Sequence, residues 1–170
     1  MFDVLNDLVD GALETKEVQK IVNSIINKTR VFNGQVIFTQ DTHFNDYFHK
    51  KENQNLSFEH GTENSEGWRL IEGLREIQQK KGALVFKKNT FDFIDLAKYL
   101  YSIHEQEEIK SIELIGLFTD TGVIDQGLLL KAYLPDVSIY VDASCCAGIS
   151  VRSHNQALLT MERHHITILN

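Results

Sequence analysis

The residues best suited to chemistry gather at four places along this sequence. Asp41-Thr42-His43 is followed by His49, Glu52 and His60, and imidazole and carboxylate donors together suit Zn²⁺, Mn²⁺ or Fe²⁺. Lys87-Lys88 closes an apolar run, where alternation along an extended chain turns one ammonium toward a site and the other away. Gly116-Leu-Phe118-Thr119-Asp120-Thr-Gly122-Val123 reads as a strand entering a helix. Backbone N–H groups and the positive helix end can hold an oxyanion there, and would acidify a thiol. Position 122, however, is glycine. The fourth place is Asp142-Ala-Ser-Cys145-Cys146-Ala-Gly148; adjacent cysteines can form only a strained disulfide, so both read as free thiols.

Each place also has a plainer explanation. A loop rich in Asn, Glu, Lys and His is ordinarily solvated, as is a terminal lysine. A glycine at a strand–helix turn ordinarily serves backbone geometry, and small buried cysteines are ordinary core residues. No histidine adjoins Cys145 or Cys146 to activate it. The runs Glu105–Glu108 and His164-His165 stay outside the functional reading.

The elements that must position these residues are legible from periodicity. Apolar, β-branched runs at Val36–Thr39, Ala83–Phe86, Ile112–Leu117, Val137–Val141 and Ile166–Leu169 show little polar alternation and read as buried strands. Val18, Ile21, Val22, Ile25 and Ile26 share one helical face, as do Leu70, Leu74 and Ile77. Further helices are predicted at about 92–104, 121–133 and 151–163. Alternating strand and helix predicts an α/β fold, a doubly wound three-layer sandwich with a mainly parallel sheet of about six strands. Ligands bind beyond the carboxyl ends of such strands, which selects Asp41, His43, Lys88, Asp120 and Asp142. Met1-Phe2-Asp3-Val4 is a shortened first strand, leading to the expectation that the native chain starts earlier. An irregular polar stretch covers about 44–66.

Composition narrows the function classes. A chain of 170 residues that is 42% hydrophobic, with a single proline, suits one domain over 1–170. Its net charge of -7 disfavours nucleic acid and anionic lipid as partners. No apolar stretch approaches the ~20 residues of a bilayer span, and the N-terminus lacks the pattern of a signal peptide. With its free thiols, the protein is expected in the cytoplasm.

Taken in order, these pieces resemble the isochorismatase-like cysteine hydrolase family, nearest its nicotinamidase and pyrazinamidase branch, over nearly the whole chain. Phe2-Asp3-Val-Leu-Asn6-Asp7-Leu8-Val-Asp10-Gly11 is similar to the opening motif V-D-x-x-N-D-F-x-x-G. Thr39-Gln-Asp41-Thr-His43 and Glu59-His60 resemble its metal-binding segments, and Lys88-Asn-Thr-Phe91 its K-x-x-F. Thr119-Asp120-Thr-Gly122-Val123 resembles T-D-x-C-V with glycine in place of cysteine, and Asp142-Ala-Ser-Cys-Cys-Ala-Gly148 the D-A-x-x-A/G segment.

The resemblance implies a hydrolase of the carboxamide C–N bond, converting nicotinamide to nicotinate and ammonia. Asp3 would be the catalytic base, Lys88 the catalytic lysine, and Gly122 would occupy the nucleophile's position. Phe118 and Gly122 would form the oxyanion hole, while Leu8 and Trp68 would line the substrate pocket. A divalent metal, Zn²⁺ first and Mn²⁺ or Fe²⁺ next, would be held by Asp41, His43 and His60, with Glu52 or His49 as a fourth ligand. It would orient the pyridine nitrogen. Homo-oligomers are common in this family.

Three departures stand out: Gly122 removes the nucleophile, Phe118 brings bulk to the oxyanion hole, and Leu8 replaces an aromatic wall. Losing the nucleophile removes the first covalent step and lowers turnover by several orders of magnitude, roughly. The competing expectation is a pseudoenzyme, a non-catalytic ligand-binding or assembly module on the same fold. Metal-assisted hydrolysis by a metal-bound water ranks third.

Overall fold

All five β-branched runs form strands, and after each of the first four a helix carries the chain back for parallel pairing. The computed structural model describes residues 1–11, 15–43, 60–88 and 93–170. A short α1 (Asn6–Val9) and the long α2 (Lys16–Val31) precede β1 (Ile37–Asp41). Then follow α3 (Glu72–Lys81), β2 (Leu84–Lys88), α4 (Ile94–His104), β3 (Ser111–Leu117), a π-helical turn (Thr119–Val123), α5 (Ile124–Tyr133), β4 (Ser138–Ala147), α6 (Val151–Arg163) and β5 (Thr167–Leu169).

The helices form close to where the apolar spacing predicts them, although Leu70 lies ahead of α3 in a bridge with Leu5, and side-chain caps open α2 and α6. Thr15 Oγ1 accepts from Val18 N at 3.1 Å to open α2, and Ser150 and Ser153 form a reciprocal capping box at α6. α2 and α3 bury Val18, Ile25, Leu74 and Ile77 in one apolar cluster with Phe38 and Ile115. Leu96 and Leu100 of α4, Leu130 of α5 and Met161 of α6 build the second cluster with Leu114, Ile139 and Val141. Helices thus cover both faces, as parallel strands require. No helix among the described residues is long and apolar enough to cross a membrane.

The expected sheet of about six strands is corrected to five strands in two parallel sheets, β1–β2 and β3–β4–β5. The reason lies in residues 1–3, which occupy the place of a first strand but make only an isolated bridge, Phe2 with Gly116. Four backbone-side hydrogen bonds nevertheless tie the two sheets together through them. Met1 N donates to Ile37 O at 2.8 Å, Thr39 N to Met1 O at 2.9 Å, Phe2 N to Ile115 O at 2.8 Å and Leu117 N to Phe2 O at 2.9 Å. The chain then turns out of the sheet at Asp3, whose φ of 46° is left-handed and whose carbonyl accepts from Leu5 N at 2.9 Å. Gly116 makes the close approach feasible: its φ is 129°, and a Cβ there would lie 2.2 Å from Phe2 O.

A second correction concerns β4, which runs past the predicted Val141 to Ala147. Asp142 is therefore a mid-strand residue rather than one beyond a strand end. Between the pairs Leu114–Val141 and Gly116–Cys146, β3 advances two residues and β4 five, so the segment around Asp142 bulges from that ladder. On its other edge Asp142 pairs with Leu169 of β5. Its carboxylate meets the Lys28 ammonium, which also contacts Glu113, and accepts from Ser144 N at 3.0 Å and Asn170 Nδ2 at 3.2 Å.

Burial would raise the Asp142 carboxyl, but the hydrogen bonds from Lys28, Ser144 and Asn170 outweigh it and hold the group below the usual carboxylate range. A depressed folded-state value means stability that is present above the unfolded value near pH 4 and lost as pH falls through the folded value. Lys28→Met is expected to cost about 2 kcal/mol at pH 7, less than a fully buried pair because the ammonium keeps some solvent contact. Urea unfolding of both proteins between pH 7 and pH 3 checks this: the gap should narrow below about pH 4, and a constant gap would contradict the electrostatic account.

Candidate active site

The parallel strands carry their functional side chains to one edge, the carboxyl ends of β1, β2 and the residue 1–3 ribbon. Asp41 and Lys88 are the last residues of their strands and lie opposite each other in the ladder. Asp3 reaches the same edge because the chain turns there.

These three form one buried charged network. Lys88 Nζ lies 2.8 Å from Asp3 Oδ2 and 3.7 Å from Asp41 Oδ1. Thr39 Oγ1 donates to Asp3 Oδ1 at 2.8 Å. Asp3 and Lys88 are each only 5% exposed, so neither charge has water as a substitute partner. Burial lifts Asp3 above its ordinary carboxyl range and Asp41 adds to the lift, against the opposing pull of Lys88 and Thr39. Burial alone would lower Lys88, but the two carboxylates outweigh it and keep the ammonium charged. Lys87, one residue earlier, points the other way as alternation predicts: its Nζ is 2.8 Å from Glu63 Oε1 and 4.8 Å above the Trp68 ring.

Asp41 links this pair to two imidazoles. Its Oδ2 is 3.0 Å from His43 Nε2 and 3.3 Å from His60 Nε2. Burial would raise the Asp41 carboxyl; the bonds to both histidines and the charge of Lys88 lower it well below the usual range. Asp41, His43 and His60 each present a ligand atom, and these atoms lie within 4.8 Å of one another. One carboxylate and two imidazoles at that spacing fit a divalent metal. His49 and Glu52, the expected sources of a fourth ligand, lie outside the described residues.

His60 is held by contacts that sequence reading did not single out. Gly61 N donates to Asp7 Oδ2 at 3.0 Å, and Gly61 has a φ of 61° with Asp41 O only 2.8 Å from where a Cβ would sit. Trp68 Nε1 donates to Thr42 Oγ1 at 2.9 Å and Gln40 Nε2 to Trp68 O at 2.7 Å, pinning the 60–68 segment to β1. Trp68 is thereby placed beside the metal-binding strand end. Leu8 is 3% exposed and belongs to the α2-side apolar cluster.

Gly122 is buried in the π-helical turn that follows β3, at the same carboxyl edge of the strands. Phe118, half-buried, precedes that turn after a cis Leu117–Phe118 peptide and packs on the α2-side cluster. Asp120 does not join the acid–lysine network; its carboxylate accepts from Ile149 N at 3.0 Å and fastens the β4–α6 connection. Thr119 Oγ1 is 2.8 Å from His154 Nδ1 on α6, a contact without any local sequence signal. Neither cysteine replaces a missing thiol. Both are free and buried; burial raises Cys145 and pushes Cys146 up to about 12, so both stay protonated at neutral pH.

The strand order, the acid–lysine pair and the histidine–aspartate cluster define a parallel α/β protein with a buried charged network beside a group that could hold a metal ion. The Isochorismatase domain profile matches residues 1–169, and the chain belongs to that family. No curated protein matches the sequence. Among solved structures, nicotinamidase/pyrazinamidase from Bacillus subtilis superimposes with a TM-score of 0.83 at 23% identity, covering 99% of this chain and 96% of that one. Pyrazinamidase of Pyrococcus horikoshii in complex with zinc gives a TM-score of 0.81 at 21% identity, covering 100% and 96%. Yeast nicotinamidase bound to the inhibitor nicotinaldehyde gives 0.82 at 14% identity, covering 100% and 97%. At these identities the likeness establishes the fold.

Calorimetric titration with Zn²⁺ tests the donor cluster. The parent should bind one ion, and His60→Ala and Asp41→Asn should each weaken binding about tenfold or more. The single Trp68, fixed to the His60 segment, should report the same titration by fluorescence. Equal affinities in all three proteins would remove these residues from the ligand set.

Proposed function

We propose that this protein is a nicotinamidase-like amidohydrolase acting on a small carboxamide, nicotinamide first, with turnover crippled by glycine at the nucleophile position. The observation that carries the reading is the continuous buried network Asp3–Lys88–Asp41–His43/His60. A base, a fixed cation and metal donors joined in one pocket serve carboxamide chemistry better than they serve stability, since a buried ion pair rarely outperforms apolar packing. Solved structures similar to it in fold include nicotinamidases and pyrazinamidases.

In this reading Asp41, His43 and His60 hold a divalent metal, Zn²⁺ first, which orients the pyridine nitrogen of the substrate when bound. Asp3 is the base, raised in proton affinity by burial. Lys88 keeps Asp3 oriented and balances the charge that builds up as the carbonyl is attacked. With Gly122 in place, water is the remaining nucleophile: Asp3 takes its proton, the oxygen adds to the carboxamide carbon, and Asp3 passes the proton to the nitrogen as the C–N bond breaks. The products are carboxylate and ammonia, formed slowly because the covalent route is closed. With a thiol at 122, Asp3 would take the thiol proton, ammonia would leave on thioester formation, and water would release the acid.

A second reading, a ligand-binding pseudoenzyme, is favoured by one specific combination: Gly122 lacks the thiol, and Cys145 and Cys146 are too protonated to supply one.

Ammonia release from nicotinamide separates the two. Gly122→Cys should raise the rate by about a thousandfold or more, and Asp3→Ala on that background should remove the gain. If Gly122→Cys releases no more ammonia than the parent while calorimetry shows nicotinamide bound to both, the binding-module reading replaces the hydrolase.

A further inference from the structure

The three clustered donor residues are not supported alike. Asp41 ends β1 and His43 follows it by two residues, so the parallel pairing of β1 with β2 carries both. His60 belongs to no helix or strand. A zinc–imidazole bond is short, about 2.0–2.1 Å, and a small rotation of an unsupported histidine breaks it. His60 therefore needs bracing from outside the sheet.

α1 supplies that bracing. Asn6 N donates to Arg69 O at 3.0 Å and Asp7 N to Gly67 O at 2.9 Å, and Asn6 Nδ2 donates to Glu66 O at 2.9 Å. These bonds fasten the far end of the segment after His60. At its near end one side chain from α1 acts: Asp7 Oδ2 accepts from Gly61 N at 3.0 Å. That N–H and the His60 carbonyl share one planar peptide unit, so holding the N–H holds the plane from which the His60 side chain departs. From the other side Gly61 O accepts from His43 N at 2.8 Å. A chain of hydrogen bonds thus runs from Asp7 through Gly61 to His43, reaching both imidazoles without passing through Asp41. Glycine is required at both places that face the Asp7 carboxylate: a Cβ on Gly67 would lie 1.8 Å from Asp7 Oδ1, and Gly61 has a φ of 61°.

We propose that Asp7 is a positioning residue for the metal site, a role that rests on Asp41, His43 and His60 being the ligands. Through the Gly61 N–H its carboxylate aims the His60 imidazole at the ion. Asp7 lies outside the donor cluster and contributes no ligand atom. What it supplies is an acceptor oxygen rather than charge, so asparagine serves in its place and alanine does not. Asp3 and Asp7 stand on one short stretch of chain, so the residues that deliver the acid to the pocket also order its metal end.

Calorimetric titration with Zn²⁺ of the parent, Asp7→Asn, Asp7→Ala, His60→Ala and the double variant Asp7→Ala/His60→Ala tests this. Asp7→Ala should weaken binding about tenfold or more, and Asp7→Asn by less than about threefold. On the His60→Ala background, Asp7→Ala should have no further effect beyond about twofold, because its influence passes through the missing imidazole. A general loosening of the segment would instead weaken both backgrounds alike, and that outcome overturns the proposal. So does Asp7→Asn binding as weakly as Asp7→Ala, which would assign the effect to charge. In the metal-free proteins, hydrogen exchange at the Gly61 amide should be faster in Asp7→Ala by about tenfold and close to parental in Asp7→Asn. Should Asp7→Ala fail to fold by circular dichroism, Asp7→Ser, too short to reach Gly61, takes its place under the same expectations. A parent that binds no Zn²⁺ overturns the ligand set and this role together, whereas a zinc-binding parent matched by Asp7→Ala overturns this role alone.

Discussion

The hydrogen bonds that residues 1–3 make to β1 and β3 are the constraint on which the rest of this structure depends. Through Met1 and Phe2 they join a two-stranded and a three-stranded sheet that otherwise share no ladder. The same three residues deliver Asp3 to the carboxyl edge, because the left-handed turn there ends the ribbon one residue after Phe2. Gly116 permits this by giving up its side chain to the Phe2 carbonyl. Sheet integrity and the location of Asp3 beside Lys88 are therefore one piece of backbone geometry.

At that edge the electrostatics are expensive. Asp3, Lys88 and Asp41 leave water together, with Lys88 offsetting both carboxylates and Thr39 donating to Asp3. The histidines extend the arrangement, sharing Asp41 Oδ2 between them. A fold selected for stability alone would fill this space with apolar side chains. This one concentrates charge there instead, and the π-helical turn after β3 carries glycine at 122.

Much of this was legible in the residues. The β-branched runs located five strands, with shifts at their ends of a few residues, and helical spacing located α2 through α6. Asp41, His43 and Lys88 stood at or just beyond the ends of strands that a parallel sheet must align, so their convergence followed from topology, whereas His60 came from the polar stretch after β1 and from the family resemblance. Asp142 was misplaced because β4 continues through Ala-Ser-Cys-Cys, small residues whose strand character comes from pairing with β3 and β5 rather than from β-branching. The contacts of His154, Asp7 and Lys28 were invisible, since their partners lie 35, 54 and 85 or more residues away.

By itself the sequence determined the alternation of elements, the family, and the absence of a thiol at 122, because each depends on residue type and local period alone. Only the tertiary structure decided that the sheet divides into two parts stitched by Met1 and Phe2, that Asp3 and Lys88 share a buried pocket, and that Cys145 and Cys146 stay protonated. Those outcomes turn on burial and on contacts between distant segments, and neither dielectric surroundings nor long-range partners are written in the order of residues.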